Sequence, residues 1–230
     1  MIRTAFFIML CLGFAFPTFV SAQTDVTVDA DDRGWYREDG FHESDNENYL
    51  TGIFDLTGVR SERNSFFVFD LTAIEEVESA SLRLFLPTNG YNSADSDETF
   101  SLFDFSGDLT DLVDGTGGIA AFDDLGDGLN LGSIDIESAN ENSFIDIELN
   151  ADGIAFLNTQ VGNFAALGGA LTSLDAAVGA TGNEFVFGET DAGSSVPGPQ
   201  LLLVAVPEPS SIALIGLAFA AISSRRRRSA

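Results

Sequence analysis

Three residue types are scarce or missing in this chain of 230 residues: it has no lysine, one histidine and one cysteine. The absence of lysine excludes Schiff-base chemistry, and His42 alone cannot build a zinc site of the usual kind. The cysteine, Cys11, lies in an apolar N-terminal stretch. Residues 23–206, here called the body, therefore have no disulfide, no thiolate nucleophile and no cysteine-based metal site.

Basic residues are also rare. The body has five arginines against 35 acidic residues, a formal charge of −30. A nucleic-acid-binding surface needs basic residues that displace counterions, so this composition argues against a nucleic-acid partner. It favours solubility in a salty medium, or the binding of cations.

The N-terminal stretch has the pattern of a secretory signal peptide. Arg3 precedes an apolar run over residues 5–20, and small residues occupy Ser21 and Ala22. We expect cleavage after Ala22 and export through the secretion translocon. Leu10 precedes Cys11 where a lipoprotein signal has a small residue, so lipidation is not expected.

The C-terminal segment has three parts. Pro207, Glu208 and Pro209 come first, followed by an apolar run over residues 212–222 and then by Arg225, Arg226, Arg227 and Arg228. The run is shorter than the roughly 17–25 residues of a stable membrane span, so we expect transient inner-membrane anchoring. The arginines would stay on the cytoplasmic side, which leaves the tripeptide on the outer face.

These three parts, in this order, resemble the PEP-CTERM sorting signal of Gram-negative bacteria. The resemblance implies processing by an exosortase, a membrane transpeptidase, and delivery to the cell surface or outside. It also implies an association with exopolysaccharide and biofilm. An ordinary tail anchor is the alternative.

The body is typical of a β protein, because short apolar or alternating runs recur between Gly, Asn and Asp. In "SFIDIEL" (143–149) the apolar residues alternate with acidic ones, as in a half-buried antiparallel strand. Candidate strands occupy residues 25–30, 49–54, 63–71, 80–86, 99–105, 131–136, 143–149, 164–171, 184–188 and 200–206.

We therefore predict an all-β fold, a jelly-roll-like sandwich of two antiparallel sheets. Short helical turns are expected near residues 109–113 and 151–158. Gly117-Gly118 and Gly168-Gly169 are interpreted as turn glycines. The expected organisation is a signal peptide (1–22), one sandwich domain (23–206) and a sorting signal with a hydrophobic helix (207–230).

The stretch "RNSFFVFDLTAIEEVESASLRLFLP" (63–87) carries a second resemblance. It is similar to a strand pair of DNRLRE-type and carbohydrate-binding-module-like β-sandwich domains. That resemblance implies the fold and an association with polysaccharide.

The polar stretch 29–49 is the candidate binding loop. Trp35, Tyr36, Phe41 and Tyr49 form a candidate glycan contact, since aromatic faces stack on the C–H faces of sugar rings. The alternative is that Trp35 and Tyr36 simply cover one end of the sandwich.

Calcium is the candidate cofactor, because it takes carboxylate and carbonyl oxygens. Asp29, Asp31 and Asp32 are spaced like the start of a loop site, although Gly40 stands where an EF-hand has its bidentate Glu. Two further acidic groups are candidates: Asp95, Asp97 and Glu98, and Asp123, Asp124 and Asp127.

The sequence favours a non-catalytic exported protein of the extracellular matrix. A Ser-His-Asp triad would have to use His42, and no Gly-x-Ser-x-Gly motif is present. The alternative is a glycan hydrolase or lyase that uses a pair of carboxylates.

Overall fold

The computed structural model describes residues 23–56, 59–174, 182–190 and 196–206. The signal peptide, the tripeptide Pro207-Glu208-Pro209, the apolar run and the arginine cluster lie outside these residues. Residues 23–207 form one compact unit. Within the described residues, no helix has the length and apolar character needed to cross a membrane.

Ten strands dominate the described chain, and they follow the predicted ones closely. The strands are β1 (Thr24–Arg37), β2 (Thr51–Leu56), β3 (Val59–Asp70), β4 (Val77–Leu86), β5 (Asp97–Asp104), β6 (Asn130–Glu137), β7 (Ser143–Glu148), β8 (Phe164–Leu171), β9 (Glu184–Val186) and β10 (Gln200–Ala205). The helices are α1 (Leu109–Val113), α2 (Gly118–Gly126) and α3 (Ala151–Gln160), with a 3-10 turn at Ser138–Asn140. The fold is therefore mainly β, as predicted.

The strands form two antiparallel sheets that share β1. The first half of β1 pairs with β10, and the order continues through β4 to β7. The second half pairs with β3, and the order continues through β8 and β5 to β6. A β-bulge between Ala30 and Asp32 separates the two halves, because an extra residue bends a strand and increases its twist. The result is sandwich-like, and the strand order does not establish the predicted jelly-roll connectivity.

The main core lies between the two sheets. On β4, Leu82, Leu84 and Leu86 are fully buried there, as the alternation of "ASLRLFL" predicts. Phe67 and Phe69 of β3 meet them from the other sheet. Packed apolar area of this kind is the main source of stability for a domain that has no disulfide.

A second, smaller core lies on the outer face of β3, and the sequence did not predict it. Phe66 and Val68 point there, against Leu112 of α1 and Leu125 of α2. The run "FFVF" is apolar throughout because β3 is buried on both faces. Helix α2 was missing from the predicted elements.

Gly168 explains how closely α2 approaches β8, and the interpretation of Gly168-Gly169 as turn glycines was wrong. Both residues belong to β8. A Cβ atom at Gly168 would lie 2.4 Å from the carbonyl oxygen of Leu125. The helix backbone thus occupies the space that a side chain would need.

Candidate ligand cleft

A cleft of about 380 Å³ lies at one end of β1 and β3. It opens on the side of these strands that faces the other sheet. Trp35 is paired with Ser65, and Arg37 with Arg63, in the antiparallel register. Since direct partners share a face, Trp35, Arg37 and Arg63 lie on the face that carries the main core further along the strands. Beyond the β-bulge the first sheet no longer pairs with β1, and the face opens into the cleft.

Arg63 is a buried lining residue of this cleft and contacts two aromatic rings. Its guanidinium carbon lies 4.9 Å from the ring centre of Trp35 and 5.3 Å from that of Phe54. Nη1 donates to the carbonyl oxygens of Phe54 (3.2 Å) and Ser61 (3.0 Å). Arg63 is 5% exposed, and this burial lowers the pKa of its guanidinium. Cation–π contacts with both rings stabilise the buried charge.

Phe41 forms the exposed part of the cleft wall, with 46% of its surface accessible to solvent. Its ring lies 6.1 Å from that of Trp35, at an angle of 40°, and Arg37 stacks on it at 4.8 Å. Arg37 also donates two hydrogen bonds to the carboxylate of Asp39, at 2.7 and 2.6 Å. This fork holds the pKa of Asp39 at about 2. The charge of Arg37 is thus already neutralised.

The loop over residues 38–50 is fixed to the domain by its own polar groups. Nδ1–H of His42 donates to the carbonyl oxygen of Trp35 at 2.8 Å, and the imidazole stacks on Tyr36 at 4.8 Å. Gly40 has a φ of 82°, and a Cβ there would lie 2.5 Å from the backbone nitrogen of Ile119. Glycine is therefore required where the loop passes the start of α2.

The structure brings together two of the four predicted glycan contacts. Trp35 and Phe41 line the cleft, whereas Tyr36 and Tyr49 are fully buried. The Tyr36 hydroxyl donates to carbonyl oxygens of α1 in the second core, and burial raises the pKa of that phenol. Tyr49 donates to the carbonyl oxygen of Phe85 in the main core, and burial raises its pKa to about 12.

These two tyrosines thus offer no face to a sugar, which corrects the predicted four-ring surface. The loop is also shorter than predicted, because residues 29–37 belong to β1. Sequence reasoning missed Arg37, Phe54 and Arg63 as cleft residues. The available signal was the alternation of β1, which places Trp35 and Arg37 on one face.

The predicted calcium ligands Asp29, Asp31 and Asp32 lie along β1 instead of in a loop. The Asp29 carboxylate accepts a hydrogen bond from Gln200, and Asp32 accepts one from the backbone N–H of Arg33. Burial raises the pKa of Asp32. Among the described residues, the group of carboxylates whose oxygens lie within 4.8 Å of one another does not include these three.

Elsewhere in the described residues, three carboxyl groups do meet. Oxygens of Asp95, Glu98 and Glu184 lie within 4.8 Å of one another, and the two glutamates are buried. Ser93 and Ser173 donate to the Glu98 carboxylate. These oxygens could hold a hard cation. Asp97, predicted to belong to this group, is not part of it.

In the third acidic group, Asp123, Asp124 and Asp127, two of the carboxylates accept hydrogen bonds from the protein's own backbone. The Asp124 carboxylate accepts hydrogen bonds from the backbone N–H groups of Ser106 and Gly107. Asp127 accepts one from the N–H of Gly128.

Comparison with known proteins identifies the C-terminal segment. Residues 205–228 match the PEP-CTERM protein-sorting motif. No curated protein matches the chain. The match does not extend to residues 63–87, so their resemblance to DNRLRE-type and carbohydrate-binding-module-like domains is not confirmed. The motif implies export, transit through the membrane and processing by an exosortase. The chain therefore carries a PEP-CTERM protein-sorting motif at its C-terminal end, as the tripeptide, the apolar run and the arginines predicted.

Proposed function

We propose that this protein is a non-catalytic component of the cell surface or the extracellular matrix, associated with exopolysaccharide or biofilm, and that it binds a glycan in the cleft beside Trp35. The secretion translocon delivers it across the inner membrane, and the exosortase then releases it outward. The sorting motif at residues 205–228 supports the location.

The observation that carries the binding proposal is the exposed Phe41 ring beside Trp35. A sugar placed on Phe41 would contact the ring through its C–H groups. Arg37 already supports the other side of this ring, at 4.8 Å. A mostly apolar cleft with a few polar groups at fixed positions is the usual form of a small-ligand site.

The number of acidic residues in the cleft favours ligand binding over hydrolysis. Glycosidases hold two carboxyl groups on either side of the scissile bond. Among the described residues that line the cleft, Glu43 is the one acidic residue. A hydrolase or lyase therefore remains the second candidate, with less support from this geometry.

The test compares two matched phenylalanines in the purified full chain, kept in mild detergent. Phe144 lies on β7 and is 48% exposed. Arg83 stacks on it at 5.4 Å and is paired with Asp146. It thus reproduces the Phe41–Arg37–Asp39 arrangement outside the cleft.

We expect Phe41→Ala to weaken binding to polysaccharide of the producing cells by about two- to tenfold, since a stacked aromatic contributes about 0.5–1.5 kcal/mol beyond its buried area. Phe144→Ala should leave binding unchanged. Equal losses in both variants, or no binding by the unaltered protein, would contradict the proposal. Release of reducing ends or unsaturated sugars that stops on Glu43→Gln would favour the enzyme instead.

A further inference from the structure

Arg63 is a buried cation that has no carboxylate partner in the described part of the chain. The ion pairs formed there join Arg33 to Glu47, Arg37 to Asp39, and Arg83 to Asp146. All three of these arginines are more exposed than Arg63, which is 5% exposed. The least exposed of the four is thus the one without an acidic partner.

A buried charge is unfavourable unless it is paired or well hydrogen-bonded. The rings of Trp35 and Phe54 both stabilise the guanidinium by cation–π contacts, and Nη1 donates to two carbonyl oxygens. A guanidinium has five N–H donors. Within the described residues, hydrogen bonds are seen at Nη1 alone. The group therefore has donors left for a ligand in the cleft that it lines.

We infer that the cleft recognises a single carboxylate on an otherwise neutral polysaccharide, as on a chain with isolated uronic acid residues. The carboxylate would pair with the Arg63 guanidinium while the sugar ring stacks on Phe41. This inference rests on the proposed glycan binding and adds the class of glycan. An arginine fork matches the planar geometry of a carboxylate.

The charges around the cleft limit the ligand to one acidic group. Glu43 lines the cleft. The negative charges of Glu38 and Asp39 lie close enough to Arg63 to raise its pKa, against the larger effect of burial. The body as a whole carries 35 acidic residues against five arginines. A polymer with a carboxylate on every sugar would therefore be repelled, whereas one isolated carboxylate can be accepted.

The experiment measures calorimetric binding of the full chain to three tetrasaccharides. The first carries one glucuronate among neutral sugars. The second is the same molecule with that carboxyl group reduced to the alcohol. The third is a tetragalacturonate, with a carboxylate on every sugar. We expect the first to bind about tenfold tighter than either of the others, since an ion pair to a buried guanidinium contributes more than a neutral hydrogen bond.

Two variants locate the effect. Glu43→Gln removes an exposed like charge without touching the Trp35–Arg63–Phe54 stack. It should increase the preference for the glucuronate probe over the reduced probe by about twofold. Arg63→Lys keeps a cation but loses the fork, and should remove most of the preference for the glucuronate probe. Its folding is checked by circular dichroism.

The outcomes separate this inference from the proposed function. Equal binding of the glucuronate and reduced probes, lost in Phe41→Ala, would overturn the carboxylate preference and leave glycan binding in place. Tightest binding of the tetragalacturonate would also overturn it. No binding of any probe would overturn both. A preference that Glu43→Gln increases and Arg63→Lys abolishes would support the inference even if Arg63→Lys proves less stable.

Discussion

Thr24 and Ala205 are direct antiparallel partners at one end of the β1–β10 pair. The first and last strands of the domain are therefore neighbours, and the start of β1 lies beside the end of β10. Residue 205 is also where the match to the sorting motif begins. The backbone N–H of Val206 still bonds to the carbonyl oxygen of Glu76. The sorting motif thus begins at the last residue of a paired strand.

The chain ending at residue 206 should fold, whereas the chain ending at residue 199 should not. Strand β10 lies between β1 and β4, and Leu201 and Leu203 on it are buried in the main core. Loss of a central strand removes two ladders of hydrogen bonds and about 2–5 kcal/mol for each buried leucine, which together exceed much of the 5–15 kcal/mol stability of a typical domain. Circular dichroism and urea unfolding would measure this. A cooperative transition in the shorter chain would contradict the arrangement of β10.

Gly168→Ala should lower the free energy of unfolding by about 1–3 kcal/mol, because the new methyl group meets the backbone of Leu125 and forces α2 away from β8. Gly182→Ala is the matched control, since nothing lies within 4 Å of its would-be Cβ. That substitution should change stability by less than about 0.5 kcal/mol. Urea unfolding of both variants gives the comparison. Equal effects would mean that α2 does not pack on β8 in this way.

The stability of the domain should fall when the pH drops below the usual His42 pKa of 6.5. Burial lowers the pKa of the folded imidazole more than the Trp35 carbonyl oxygen and the nearby Asp32 and Glu43 raise it. The unfolded chain then binds the proton first, so the contribution is complete above pH 6.5 and is lost as the pH falls through the folded value.

The measurement is urea unfolding followed by the fluorescence of Trp35, the single tryptophan. His42→Asn keeps an N–H donor toward the Trp35 carbonyl oxygen and removes the titration. Its stability should be lower at neutral pH and less dependent on pH in this window. The same pH dependence in both proteins would show that His42 is not its source.

Calcium binding stays a prediction of the sequence. Calcium should raise the melting temperature of the full chain, since a ligand that binds the folded state at a hundredfold excess over its Kd stabilises it by about 2.7 kcal/mol. The concentration should reach about 10 mM, above the Kd values of extracellular calcium modules. Magnesium is the control for general screening.

Two variants tell where calcium acts. Glu98→Gln alters the group in which three carboxyl groups meet, and Asp31→Asn alters the group along β1. The variant that loses the calcium-dependent rise identifies the ligands. An unchanged melting temperature of the unaltered protein up to about 10 mM calcium would show that the prediction is wrong.

Local patterns in the sequence determined the strands and the sorting signal. The alternation of "ASLRLFL" identified β4 and its buried leucines, because a strand turns successive side chains to opposite faces. The sorting signal could also be identified from the sequence, because the tripeptide that begins at Pro207, the apolar run and the arginines are each a contiguous pattern. Trp35 and Phe41 were identified as candidate contacts from their residue types alone.

Only the tertiary structure decided which face of each strand would be covered. Helix α2 lies over the outer face of β3, so Tyr36 is buried there while its neighbour Trp35 borders the cleft. The contact between Trp35 and Arg63 depends on the pairing of β1 with β3, which brings together residues 28 positions apart. Such a pairing depends on the strand register and on the packing of distant elements, and neither is a property of a local stretch of chain.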